Sequence, residues 1–228
     1  MGVSAGQRPH RRYSGAKGYR TAWRGSEIVA AEQRRPHGDS CSLLGRDRLG
    51  ALGSAYHQWS STMHDSVTQC RFLIREMEEI TSDLNDEHRA LQARPGTKTA
   101  GWLIGHIAVT GDYGRRLCGR APLCPKEWRA IFNPGSQPSP NAEEYPSMQL
   151  LLRTAHDVYR DLCEAALNAD PASLAIENPF APGRADFPTA GVFVRYLMSG
   201  HLAYHLGQLT EWRSAAGLPK RRTDSAIA

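Results

Sequence analysis

Four separate segments of this chain space their apolar residues three and four apart, and no stretch alternates in twos. Cys70, Leu73, Met77, Ile80, Leu84 and Leu91 mark the first, about 63–93, with a break near Glu87 and His88. Trp102, His106, Val109, Tyr113 and Leu117 mark the second, about 99–118. The third, about 146–168, carries Leu151, Ala155, Val158, Leu162 and Ala165. The fourth, about 188–216, carries Val194, Met198, His201, His205, Gln208 and Trp212. That spacing is one face of an α-helix. The ends are punctuated to match. Pro95 and Gly96 stop the first helix, Thr97 or Thr99 can cap the second, and Pro146 stands near the start of the third. Gly217, with Pro219 beyond it, closes the fourth.

Connection lengths then set the topology. The short link "ARPGTKT" makes the first two helices antiparallel neighbours. Residues 119–145 form a connection long enough to run back along the bundle, so the second and third helices run parallel. The expectation is an all-α, four-helix bundle, up-down-down-up, with a long connection between helices 2 and 3. A short helix is expected at Lys126–Phe132 within that connection, and the Pro-rich segment 169–187 as a lid over one end.

Charge is unevenly spread. Residues 1–62 hold 10 of the 28 Lys+Arg and 4 of the 23 Asp+Glu, so the remainder has a net charge of −1. A near-neutral bundle gives no case for nucleic-acid binding. No apolar run approaches the ~18 residues of a membrane span. Five scattered cysteines (Cys41, Cys70, Cys118, Cys124, Cys163) without a CxxC pair argue against a disulfide framework and suit a reducing cytoplasm. Cys70 and Cys163 fall at helical core positions; Cys118 and Cys124 flank a Gly/Pro loop. Residues 1–62, rich in Arg and Gly, read as a disordered extension with no apolar h-region, and 222–228 as a tail. The bundle is expected over 63–221, and Met63 is a candidate natural start.

Within this frame the fourth stripe is unusual. His201, His205 and Gln208 stand where leucines are expected. Buried polar groups left unpaired cost on the order of 1–3 kcal/mol each. Histidines at i and i+4 share a face and can converge on one ion. An HxxxH pair alone carries little weight, because hydrogen-bonded helix histidines are common. His106 adds weight, since it interrupts the second helix in the same way. Ligands from facing helices are how bundle metal sites are assembled.

The strings "GWLIGHIAVTGDY" and "HLAYHLGQLTEWRSAAGLPKR" resemble the second and last helices of DinB-like proteins, small metal-binding four-helix bundles. The resemblance covers roughly residues 64–221 and implies that His106, His201 and His205 bind one divalent metal ion. Imidazole ligation suits zinc, nickel, iron or copper; zinc or nickel is favoured here, with iron or manganese as alternatives. Three imidazoles leave a position open, as catalytic sites do. Tyr113 and Gln208 are the polar side chains on the same faces and the candidate catalytic residues. The resemblance implies transfer of a low-molecular-weight thiol to an electrophile as the leading activity. A metal-dependent hydrolase, or a stress-associated metal-binding bundle without turnover, are the alternatives. It also implies a homodimer, for which Trp59, Trp128 and Phe132 are candidate anchors. His64, His88 and His156 read as solvated, Asp112 as lying on a helix flank, Tyr204 as packed on a neighbour, and Arg184 and Arg195 as groups that could meet an anion at the mouth.

Overall fold

The computed structural model describes residues 45–221, with side chains from residue 62 onward. Most of the predicted extension, Cys41 and the tail at 222–228 lie outside the described residues. Among the described residues, seven α-helices occur in order: α1 (Gly45–Thr81), α2 (Ala100–Leu117), α3 (Trp128–Phe132), α4 (Met148–Asn168), α5 (Pro171–Leu174), α6 (Ala190–Tyr196) and α7 (Leu202–Ala215). A π-turn at Leu197–His201 joins α6 to α7, so the two form one interrupted rod. Among the described residues there is no strand, only a bridge between Glu177 and Thr189. None of these helices is long and apolar enough to cross a membrane.

Contacts at one end of the molecule establish the up-down-down-up order. The Met148 amide donates to the Asp86 carboxylate at 2.6 Å, and Arg89 donates to the Tyr145 carbonyl at 3.1 Å. Thus α4 starts where α1 ends and runs parallel to α2. At the same end the Trp212 indole donates to the Leu91 carbonyl at 2.9 Å. Arg213 there grips Asp83 with two bonds, at 2.6 and 3.0 Å, and also the carbonyls of Ile80 and Pro219. The last helix therefore finishes beside the end of α1. Asp83 and Asp86, just after α1, thus clamp that end to α7 and α4.

Several boundaries differ from the sequence reading. The first helix starts well before Met63 and stops at Thr81, after which Asn85 caps a tight turn over Asp86–His88. Helical periodicity ceases to apply there, so Leu84 is buried while Leu91 is 42% exposed. The core face of α1 is Met63, Val67, Cys70, Ile74, Met77 and Ile80, and Leu73 lies at its margin. Thr99 caps α2 as expected, accepting from the Trp102 amide. Ser147, rather than Pro146, opens the third long helix by capping the Leu150 amide.

The second helix is not one-faced. Every residue from Ala100 to Asp112 is buried, because α4, α3 and α7 surround it. Asp112 is accordingly buried rather than on a flank, pairing with Arg115 at 2.6 Å and accepting from the Leu123 amide at 2.9 Å. Trp128 and Phe132 of the short helix are 3% and 0% exposed. They are core residues, so neither offers a surface anchor to a second copy. Cys70 and Cys163 are buried as expected, and burial pushes the thiols of Cys118 and Cys124 up to about 12, leaving them protonated at neutral pH.

Candidate metal centre

Two local features deliver three histidines to one point. The first is Gly105. A Cβ there would collide with the Phe132 ring, so the missing side chain lets α3 lie close against α2. That approach brings the Phe132 carbonyl to 2.7 Å from His106 Nδ1. A carbonyl only accepts, so Nδ1 carries the proton and Nε2 presents a lone pair. The Trp102 ring stacks on the other side of His106, 4.7 Å between centroids and 9° from parallel. Lys98 lies 3.9 Å over that indole and donates to the Ser136 carbonyl.

The second feature is the π-turn. An uninterrupted helix from Val194 would keep Met198, His201, His205 and Gln208 in one line. The extra residue in a π-turn rotates the helix beyond it by about 100°, one residue's share of a 3.6-residue turn. The core line after the turn is therefore Leu202, Leu206 and Leu209, all buried. His201, His205 and Gln208 swing aside into the seam with α2. The histidines thus line a seam rather than the bundle axis.

In that seam the metal-ligating atoms of His106, His201 and His205 all lie within 4.8 Å of one another. The Nε2 atoms of His201 and His205 are 3.2 Å apart, and the His106 ring centre is 5.3 and 4.7 Å from theirs. His205 Nδ1 faces Gln208 Oε1 at 2.7 Å, and the Gln208 amide nitrogen donates to the Tyr204 hydroxyl at 3.1 Å. Gln208 therefore fixes the tautomer of His205 as Phe132 fixes that of His106. His201 Nδ1 is buried without a partner among the described residues. Burial, ahead of the neighbouring His205, lowers His106 to about 3, against the pull of the Phe132 carbonyl. Burial likewise lowers His205 to about 4, opposed by Gln208, and His201 is held well below its usual value. All three are neutral at pH 7, the form a metal needs. Neutral nitrogen donors aimed at one point, two with their other nitrogen anchored, fit a divalent ion.

The other predicted site residues separate. Gln208 sits behind His205. Tyr113 is half-buried; its ring meets Phe193 at 6.2 Å, with Arg116 at 5.9 Å, and no ring contact joins it to the histidines. Tyr204 is 62% exposed, its ring against His205 rather than packed into a neighbouring helix. Of the histidines read as solvated, His64 is exposed, His156 is half-buried with its Nε2 against the Glu78 carboxylate, and His88 packs edge-on against Trp212. The segment 169–187 stacks Phe187 on Tyr196 at 4.1 Å and Phe180 on Phe193 at 5.3 Å, and Tyr196 lies edge-on to His201 at 5.8 Å. Trp102 was findable one turn before His106. The Phe132 carbonyl was not, because a backbone acceptor leaves no signature in residue types.

A model of the DinB superfamily matches residues 69–209. The chain belongs to the DinB superfamily. That span contains all three histidines, the π-turn and α3, which supplies Phe132, so the whole candidate site lies inside it. No curated protein and no solved structure matches the chain.

Proposed function

We propose that this DinB protein is a metal-dependent transferase that joins a low-molecular-weight thiol to an electrophile, using one divalent ion, zinc or nickel first, held by His106, His201 and His205. The observation that carries the reading is the composition of the cluster. Three neutral imidazoles meet with no carboxylate or thiol among the described residues close enough to join them. Three ligands fill fewer than the four or more positions of such an ion. Bound there, the ion supplies Lewis acidity that favours the thiolate form of a thiol.

The chain's own groups do the rest. Phe132 and Gln208 hold two ligand rings in the tautomer that points Nε2 inward. Tyr196 and the lid rings Phe180 and Phe187 build an apolar wall beside His201 that excludes water. In the reaction the sulfur forms a bond to the electrophilic carbon, the leaving group departs with its electron pair, and the thiol proton passes to solvent. Water attack, the hydrolase alternative, usually calls for a general base beside the nucleophile. A thiol, with a pKa near 8.5, needs far less help. The lack of a carboxylate therefore favours thiol transfer over hydrolysis.

The test follows consumption of monochlorobimane by zinc- or nickel-loaded protein, with and without added thiol. Thiol-dependent turnover by wild type, abolished in His106→Ala and His205→Ala, is expected. Metal-loaded protein that is inert with every thiol tried would leave a binding bundle without turnover. Thiol-independent consumption would favour the hydrolase.

A further inference from the structure

The two anchored histidines are held by unlike partners. His106 Nδ1 faces the Phe132 carbonyl at 2.7 Å, a backbone group that cannot turn. His205 Nδ1 faces Gln208 Oε1, also at 2.7 Å, but that oxygen belongs to an amide at the end of a flexible, half-buried side chain. An amide has two different ends. Swung away, it leaves the Nδ1 proton to water. Turned over, it presents a donor to Nδ1, and the His205 proton must then sit on Nε2. That nitrogen lies in the ligand cluster, 3.2 Å from Nε2 of His201. A proton there blocks ligation. His205 is therefore only as good a ligand as Gln208 is well held.

The group that holds Gln208 is Tyr204. Gln208 Nε2 donates to the Tyr204 hydroxyl at 3.1 Å, and among the described residues that amide nitrogen has no other acceptor. A spacing of four puts the two side chains on one face of α7, one turn apart. The Tyr204 ring is seated against the ligand itself, edge-on to His205 with 5.1 Å between centroids. Tyr204 is 62% exposed, so burial in the core does not account for its place. We propose that Tyr204 is a positioning residue of the metal centre. Its hydroxyl tethers the Gln208 amide, so that Oε1 stays on His205 Nδ1 and Nε2 of His205 stays bare. With both ends of the amide bonded, turning it breaks two hydrogen bonds rather than one. The proposal rests on the three-histidine metal site and is independent of the thiol chemistry.

Tyr204→Phe removes the hydroxyl and keeps the ring. Full-length protein is compared by zinc affinity in chelator competition, by urea unfolding without metal, and by histidine tautomers in two-bond 1H–15N NMR of the metal-free form. In Tyr204→Phe zinc binding should weaken about 2–10-fold, as for loss of one neutral hydrogen bond. The His205 signal should shift from a single Nδ1–H form to a mixture with the Nε2–H form, while the urea midpoint stays at the wild-type value. In a Gln208→Leu background, adding Tyr204→Phe should change neither zinc binding nor the tautomer. Wild-type affinity and a wild-type His205 signal in Tyr204→Phe overturn the tether. So does an equal loss of affinity in the Gln208→Leu background, or a lowered urea midpoint with the tautomer unmoved, which is the mark of a merely structural tyrosine. Wild-type protein that binds no zinc, with the His205 tautomer still responding to Tyr204→Phe, would instead remove the metal reading and leave the tether standing.

Discussion

Gly105→Ala separates the cost of packing from the quality of the metal centre. The added methyl would collide with the Phe132 ring, which is 0% exposed and cannot swing into solvent. Overpacking of this kind costs about 1–3 kcal/mol. Replacing glycine by alanine inside a helix returns up to about 1 kcal/mol. The net loss of stability is therefore about 0–3 kcal/mol, small enough for the variant to fold. The larger effect falls on the metal. Pushing α3 away moves the Phe132 carbonyl off His106 Nδ1, and loss of a ligand's supporting hydrogen bond typically weakens metal binding about 10–100-fold.

The measurement is zinc affinity by chelator competition, alongside urea unfolding of the metal-free protein. Gly207→Ala is the control, because a Cβ there meets nothing within 4 Å and should leave affinity alone while slightly stabilising the helix. A zinc affinity in Gly105→Ala equal to wild type, with the packing defect visible in urea, would refute the idea that the α2–α3 approach tunes the site.

Three more outcomes derive from the same geometry. In Gln208→Leu the His205 Nδ1 proton loses its acceptor, so zinc binding should weaken roughly tenfold or more, and Gln208→Glu should restore it; chelator competition reads both. For pH, His106 and His205 titrate near about 3 and about 4 in the fold but near 6.5 when unfolded. The unfolded chain thus binds more protons between these values. Metal-free protein should hold a level stability above pH 6.5 and lose it progressively as pH falls toward 4, a slope that His106→Ala should reduce in urea midpoints measured across pH. Finally, Asp112→Ala leaves the Leu123 amide unpaired and Arg115 with Asp161 and the Ala121 carbonyl. The cost should be about 3 kcal/mol in urea unfolding, the low end for breaking a buried pair because one partner remains.

The bundle was legible because its signals are local and repeated. The α4 stripe of Leu151, Ala155, Val158, Leu162 and Ala165 is buried throughout, and the long connection between α2 and α4 permitted the parallel pair. What periodicity could not convey was burial from several sides. The second helix showed one apolar face in sequence, yet Gly105, Gly111 and Asp112 on its other faces are also buried. Small residues give no hydrophobic signal, but they let Phe132 and Tyr159 approach the backbone closely. Asp112 read as a flank residue because its partner is Arg115 on the next turn, and an i, i+3 pair reads like any surface pair until burial is known.

The histidines show the same limit in sharper form. Their spacing singled out the three histidines, and their ring nitrogens do converge. Yet the line drawn through Val194, Met198, His201, His205 and Gln208 assumed an unbroken helix. A π-turn changes no residue type and leaves every i, i+4 pair after it intact, so His201 and His205 remain stacked whether or not it is present. Only the relation of that pair to the preceding core line changes. Without the turn the imidazoles would compete with leucines for the bundle axis; with it Leu202, Leu206 and Leu209 take the axis and the imidazoles take the seam. One inserted residue therefore lets a single helix supply both a dry core and a polar site. Beside it the rings of Phe180 and Phe187 pack on Phe193 and Tyr196, and Tyr196 lies edge-on to His201.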